Sequence, residues 1–200
     1  MSAAPPSVVG MTQILLFHHA LGLTAGVLAF ADELRSAGHT VHAPDLFSGR
    51  TFDDVEVGVA FAQEVGTDHI RDQAKAAAEE LPTEIVYAGF SLGGMAAEEL
   101  ALTRPGARGC LLFHTGVPIE YFTDAKAWPD DVPLEMHITE DDVFEDTPVC
   151  REIADGSPAA ELVLYPGSAH LFADPGSTEY DEDLARQLTQ RTLEFLARVG

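Results

Sequence analysis

Basic residues are scarce in this chain: 11 Lys and Arg stand against 33 Asp and Glu, a formal charge of −22 over 200 residues. A surface so poor in cations repels phosphate backbones and anionic bilayers, so neither nucleic acid nor membrane is expected as a partner. Cysteine is nearly absent, with only Cys110 and Cys150. Two cysteines make no disulfide framework, and Cys110, inside an apolar run, reads as a small core residue. No run of apolar residues approaches the ~18 needed to span a bilayer. The opening Met1-Ser2-Ala3-Ala4-Pro5-Pro6 lacks the basic segment of a secretory signal. These shortages together point to a cytoplasmic protein. A Gly-x-x-x-x-Gly-Lys phosphate loop is missing as well.

Enough is present to build a core. Apolar residues make up 46% of the chain, so burial can offset the entropy of ordering it. Short apolar runs at 14–17, 40–43, 84–88, 109–113, 134–138 and 161–165 read as strands. Between them, residues 25–37, 67–80 and 91–103 carry helical spacing, 55–65 more weakly, 143–154 in part, and 179–199 as a terminal amphipathic helix. Strand and helix in alternation, with apolar rather than alternating strands, predict a mostly parallel sheet of about six or seven strands covered on both faces. Residues 1–12 read as a flexible tail and 13–200 as a single domain.

In such a sheet, ligands bind beyond the carboxyl ends of the strands, so useful residues should fall just after them. Gly89-Phe90-Ser91-Leu92-Gly93-Gly94 follows strand 84–88 and opens a helix, the setting a nucleophilic serine at a strand–helix elbow requires. Ser91 then needs a base, and histidine is the usual one because it titrates near neutrality. His170 is the only one of the eight histidines after His137, and it follows strand 161–165. Triads on this architecture run serine, acid, histidine. The acid is expected after strand 134–138, at Asp142 or Asp141, with Glu140 the less favoured neighbour. The backbone N–H groups of Ala20 and Leu92 are the expected oxyanion donors. His18, His19 and His114 also follow strands and are candidates to face a substrate pocket. Their spacing, with Asp45, matches no metal signature, so no metal is assigned. Tyr121, Phe122 and Trp128 suit either a pocket wall or packing beneath a long loop.

Four stretches share a further likeness. They are His19-Ala20-Leu21-Gly22; Gly38-His39-Thr40-Val41-His42-Ala43-Pro44-Asp45-Leu46-Phe47 with Ser48-Gly49-Arg50-Thr51; the elbow at 89–94; and 137–144 together with 165–172. From residue 13 to the final helix the chain resembles the dienelactone hydrolase family, a branch of the α/β-hydrolases. The resemblance implies a trimmed α/β-hydrolase fold and hydrolysis of an ester through an acyl-enzyme. It selects Asp142, two residues before Phe144, as the acid. It also implies His170 as the base and Ala20 and Leu92 as oxyanion donors.

The chain departs from the family's best-studied members at three places. Ser91 stands where they carry cysteine, His19 where they carry glutamate, and Asp174 where an arginine binds the substrate carboxylate. An aspartate repels a carboxylate, so a different substrate is implied, and Asp174 joins His18, His19 and His114 as a candidate pocket residue. The expected protein is a serine hydrolase with the triad Ser91, Asp142 and His170. It acts on a small-molecule ester or lactone without a cofactor, as a monomer or homodimer. A thioesterase, a carbon–carbon hydrolase, or a binding or regulatory module on the same scaffold are the alternatives.

Overall fold

The computed structural model describes residues 11–144 and 146–200. Within them six strands form one sheet in the order β2-β1-β3-β4-β5-β6. They are β1 (Gln13–Phe17), β2 (Thr40–His42), β3 (Val86–Phe90), β4 (Gly109–Phe113), β5 (Leu134–Thr139) and β6 (Ala160–Tyr165). Every neighbouring pair is parallel. The helices are α1 (Ala25–Ser36), α2 (Val55–Val65), α3 (Thr67–Glu79), α4 (Leu92–Thr103), α5 (Thr147–Gly156) and α6 (Glu182–Val199). This is the parallel α/β architecture expected from the alternation of short apolar runs and amphipathic segments.

The sheet separates two apolar layers, and the period of two along β1 feeds both. Leu15 and Phe17 pack with Ala74, Ala78, Ala97 and Leu100 on one side. Ile14 and Leu16 pack with Val27, Phe30, Leu34 and Phe195 on the other. β3 and β4 are buried along their whole length, which is why they read as continuous apolar runs. Burying one such Leu or Phe contributes about 1.5–3 kcal/mol. α4 lies directly against β3 and β4 and buries eight of its twelve residues. The element that carries the elbow is therefore also the most enclosed helix of the fold.

Several boundaries differ from the sequence expectation, each for a tertiary reason. β3 runs from Val86 to Phe90 rather than over 84–88, because its register with β4 pairs Gly89 with Leu112 and Phe90 with Phe113. The weakly amphipathic 55–65 segment is a complete helix, capped by the Asp54 side chain, which accepts from the Val57 N–H at 3.1 Å. α5 starts only at Thr147, with Pro148 in its first turn, where the missing proline N–H costs nothing. Residues 1–10 of the expected tail lie outside the described residues. Thr12, at its end, is buried, and its carbonyl accepts from the Thr40 N–H at 3.0 Å. No helix among the described residues is long and apolar enough to cross a membrane.

Candidate active site

β3 leads straight into Ser91, whose N–H donates to the Phe113 carbonyl at 2.8 Å. Ser91 takes φ 46° and ψ −113°, and α4 begins at the next residue. That backbone costs a non-glycine residue about 1–3 kcal/mol and persists only where its surroundings impose it. Gly89 and Gly93 impose it here. A Cβ at residue 89 would run into the Gly93 carbonyl, and one at 93 would meet the His18 carbonyl at 2.5 Å. Both obstacles are backbone and cannot rotate away. The sharp turn sets the Ser91 side chain at the head of α4, where unpaired N–H groups favour negative charge.

The Ser91 hydroxyl lies 2.8 Å from His170 Nε2, and His170 Nδ1 lies 2.8 Å from Asp142 Oδ2. With the carboxylate accepting at Nδ1, the imidazole carries its proton there and offers Nε2 as acceptor for the serine hydroxyl. Asp142 is held in turn by the Phe144 N–H, which donates to Oδ1 at 2.9 Å. Of the three acidic neighbours after β5, only Asp142 is buried; Glu140 and Asp141 are exposed. The Phe144 ring lies against the imidazole, with ring centroids 4.4 Å apart.

Glu179 belongs to the same assembly, and sequence reasoning passed over it. Its two carboxylate oxygens accept from the backbone N–H groups of His170 and Leu171 at 3.2 and 3.1 Å. In a chain with 33 acidic residues, one more carboxylate nine positions past a histidine carries no sequence signal. We expect Glu179→Ala to lower kcat about tenfold with KM little changed, because small misplacements of the proposed base are costly, and to lower the melting temperature, since two partly buried N–H groups lose their acceptor. Steady-state kinetics together with a thermal melt check this.

Ala20 and Leu92, the expected oxyanion donors, both line a cavity of about 350 Å³ that also meets Ser91 and His170. A larger groove of about 440 Å³ lies between α1 and α6 and touches none of these residues. The smaller cavity is the one with chemistry in its wall.

The four residues expected to face a substrate pocket do not line this cavity, and that expectation is corrected. His18 is fully buried: Nδ1 donates to the His19 carbonyl at 2.8 Å and Nε2 accepts from the Leu46 N–H at 3.0 Å. Burial pushes its pKa down to about 4, so it stays neutral. It ties the loop after β1 to the loop after β2. His19 Nε2 meets Asp174 Oδ2 at 2.6 Å, while its Nδ1 accepts from the Leu21 N–H at 3.3 Å. Asp174 also accepts from Thr24 Oγ1 at 2.8 Å and from the Gly176 N–H at 2.6 Å. It is spent on the protein's own groups, not on substrate. His114 is sealed behind His170 against Phe172 and Phe90, and burial holds its pKa well below the ordinary value, with the neighbouring His170 adding to the fall. The common cause is that buried polar side chains find partners inside the fold, or stay neutral where they find none.

Trp128 is a packing residue: it is buried and its indole N–H donates to the Val132 carbonyl at 2.6 Å. Tyr121 is exposed. Among the described residues no three His, Cys, Asp or Glu side chains are gathered as a metal site would need.

Comparison with known proteins agrees with this fold. The model of the dienelactone hydrolase family matches residues 1–200. A dienelactone hydrolase-like promiscuous phosphotriesterase from metagenomic libraries superposes with a TM-score of 0.73 at 20% identity, over 94% of this chain and 86% of that one. Dienelactone hydrolase from Anabaena variabilis gives 0.64 at 21% identity, over 94% and 87%. Alpha/beta hydrolase domain-containing protein 10 from mouse gives 0.68 at 13% identity, over 100% and 93%. At such identities the solved structures are similar in fold.

Proposed function

The chain belongs to the dienelactone hydrolase family of α/β-hydrolases, and on that premise we propose that it hydrolyses a small carboxylic ester or lactone through an acyl-enzyme on Ser91. The reading is carried by one observation: the unbroken line from Asp142 through His170 to Ser91, with 2.8 Å at each step. His170 takes the hydroxyl proton as Ser91 attacks the carbonyl carbon. The N–H groups of Ala20 and Leu92 receive the developing oxyanion. Leu92 is the first residue of α4, so its N–H has no carbonyl one turn back within the helix to bond. His170 then gives its proton to the leaving alkoxide. In the second half a water molecule loses a proton to the same Nε2, attacks the acyl-enzyme, and the acid departs as Ser91 is reprotonated. Asp142 remains ionised throughout and stabilises the imidazolium formed at each step.

Incubation with a fluorophosphonate followed by peptide mass spectrometry tests this directly. The expected result is a single phosphonylated peptide containing Ser91, and turnover on a panel of p-nitrophenyl esters. No modification of Ser91, with silence across esters, thioesters and lactones, would overturn the reading in favour of a binding module.

A further inference from the structure

One carboxylate in the cavity wall has no part in the proposed reaction. Asp146 stands immediately before α5, half-buried, and lines the same cavity as Ser91 and His170. Its Oδ2 accepts from the Thr115 hydroxyl at 3.0 Å. None of the described residues lining the cavity is Lys or Arg. Apart from Ser91, His170, Gln63, Thr67, Thr115 and Asp146 itself, the cavity wall is apolar, with Val117, Met95 and Phe144 among its members.

Asp146 has no lysine or arginine beside it in the cavity wall. Burial lifts its carboxyl above the ordinary value and the Asp142 charge adds to the rise, while the Thr115 hydroxyl, the nearby His170 and the Gly116 N–H oppose it. Asp142 is itself engaged by His170. Glu98, on α4, lies behind Val117, whose N–H donates to it at 3.0 Å. Burial pushes the Glu98 carboxyl up to about 8, so near neutrality it keeps its proton. The negative charge offered to the cavity is therefore that of Asp146. A second anion placed there meets repulsion in a partly desolvated wall, whereas a cation or a hydrogen-bond donor relieves a charge that no lysine or arginine of the wall neutralises.

Resting on the hydrolase reading above, we propose that Asp146 selects substrates by charge: the cavity accepts esters whose far end is neutral or cationic and rejects those ending in a carboxylate. The role first expected of Asp174 thus falls to a different aspartate, one that faces the cavity instead of the interior.

The test uses three p-nitrophenyl esters built on the same four-carbon acyl chain: the butyrate, the glutarate with a free carboxylate at its end, and the 4-trimethylammonio-butyrate. The expected kcat/KM for the glutarate is at least about tenfold below that of the butyrate, with the cationic ester equal to or above the butyrate. In Asp146→Asn the three are expected to converge to within a few fold. Asp32→Asn, which removes an exposed charge on α1, is expected to leave the ratios unchanged; this separates a local effect from the field of the whole molecule. Equal turnover of glutarate and butyrate by the wild type, or ratios that Asp146→Asn does not move, would overturn the proposal.

Calorimetric titration of Ser91→Ala and of Ser91→Ala with Asp146→Asn, using the same esters, separates this proposal from the hydrolase reading. If the wild type cleaves none of the three, nor any other ester, thioester or lactone, and the fluorophosphonate leaves Ser91 unmodified, that reading fails. The charge order is still read from binding, and a glutarate ester bound as tightly as the others refutes the role of Asp146. Binding of none of them refutes both.

Discussion

Ser91→Ala is expected to lower kcat for ester hydrolysis by about 10⁶-fold, the scale on which loss of the nucleophile acts when serine and histidine work as a unit. The proposed mechanism has no second nucleophile: of the other two hydroxyls in the cavity wall, Thr115 donates to the Asp146 carboxylate, and neither it nor Thr67 is hydrogen-bonded to a histidine. Asp142→Asn is expected to cost about 10⁴-fold. The amide can present its NH₂ to His170 Nδ1, and the imidazole then protonates at Nε2 and faces the Ser91 hydroxyl as a donor, not as an acceptor. KM is expected to change far less than kcat, because Asp142 is buried and acts through the imidazole. Asp141→Asn is the control, since that side chain is exposed and only its N–H is engaged, donating to the Gly167 carbonyl at 3.1 Å. Steady-state kinetics on one p-nitrophenyl ester compare the three variants. A loss at Asp141→Asn equal to that at Asp142→Asn would exclude the assignment of the acid.

The elbow was legible in the sequence because its constraints are local. Gly89 and Gly93 are demanded by backbone approach, a strand must precede them and a helix must follow, and all of this lies within a dozen residues. That His170 and a carboxylate at 141 or 142 reach Ser91 was legible by topology, since a parallel sheet brings the ends of β5 and β6 to the same edge as the end of β3; the choice of Asp142 came from the family resemblance. The four supposed pocket residues were misread because position after a strand tells which edge a residue reaches, not which way its side chain turns. His18 and His19 turn inward, where backbone groups of the adjoining loops accept and donate. Glu179 and Asp146 were invisible for a related reason. Each is held by a partner that no local pattern marks, the backbone N–H groups of His170 and Leu171 for Glu179 and the Thr115 hydroxyl for Asp146. Composition this acidic offers no contrast by which to pick them out.

Asp174→Ala is expected to destabilise the fold by several kcal/mol, about 1–3 kcal/mol for each buried donor left without its acceptor. Asp174 is nearly inaccessible, and its removal leaves His19 Nε2, Thr24 Oγ1 and the Gly176 N–H without their acceptor. Alanine cannot replace those bonds, and water has little room: the carboxylate sits so close to α1 that a Cβ on Gly26 would collide with it. Asparagine fills the space and keeps one acceptor, so Asp174→Asn is expected to lose less.

The pH dependence follows from the same contacts. Burial alone would raise the Asp174 carboxyl, but the hydrogen bonds from His19, Gly176 and Thr24 outweigh it and hold the group below its ordinary value of 3.8. A carboxyl depressed in the folded state stabilises the fold above its unfolded pKa, and that contribution disappears as pH falls through the folded value. Urea denaturation should therefore separate wild type from Asp174→Asn at pH 7 and bring them closer together below about pH 3.8. The consequence for activity runs through one peptide. His19 is fixed by Asp174 on one side and by the Leu21 N–H on the other, and Ala20, between those anchors, carries the proposed oxyanion donor. Asp174→Asn is thus expected to lower kcat about tenfold even under conditions where the variant is fully folded, since the donor it places acts on the transition state rather than on bound substrate. A variant that is fully folded, less stable, and unchanged in kcat would confine Asp174 to the architecture of the fold.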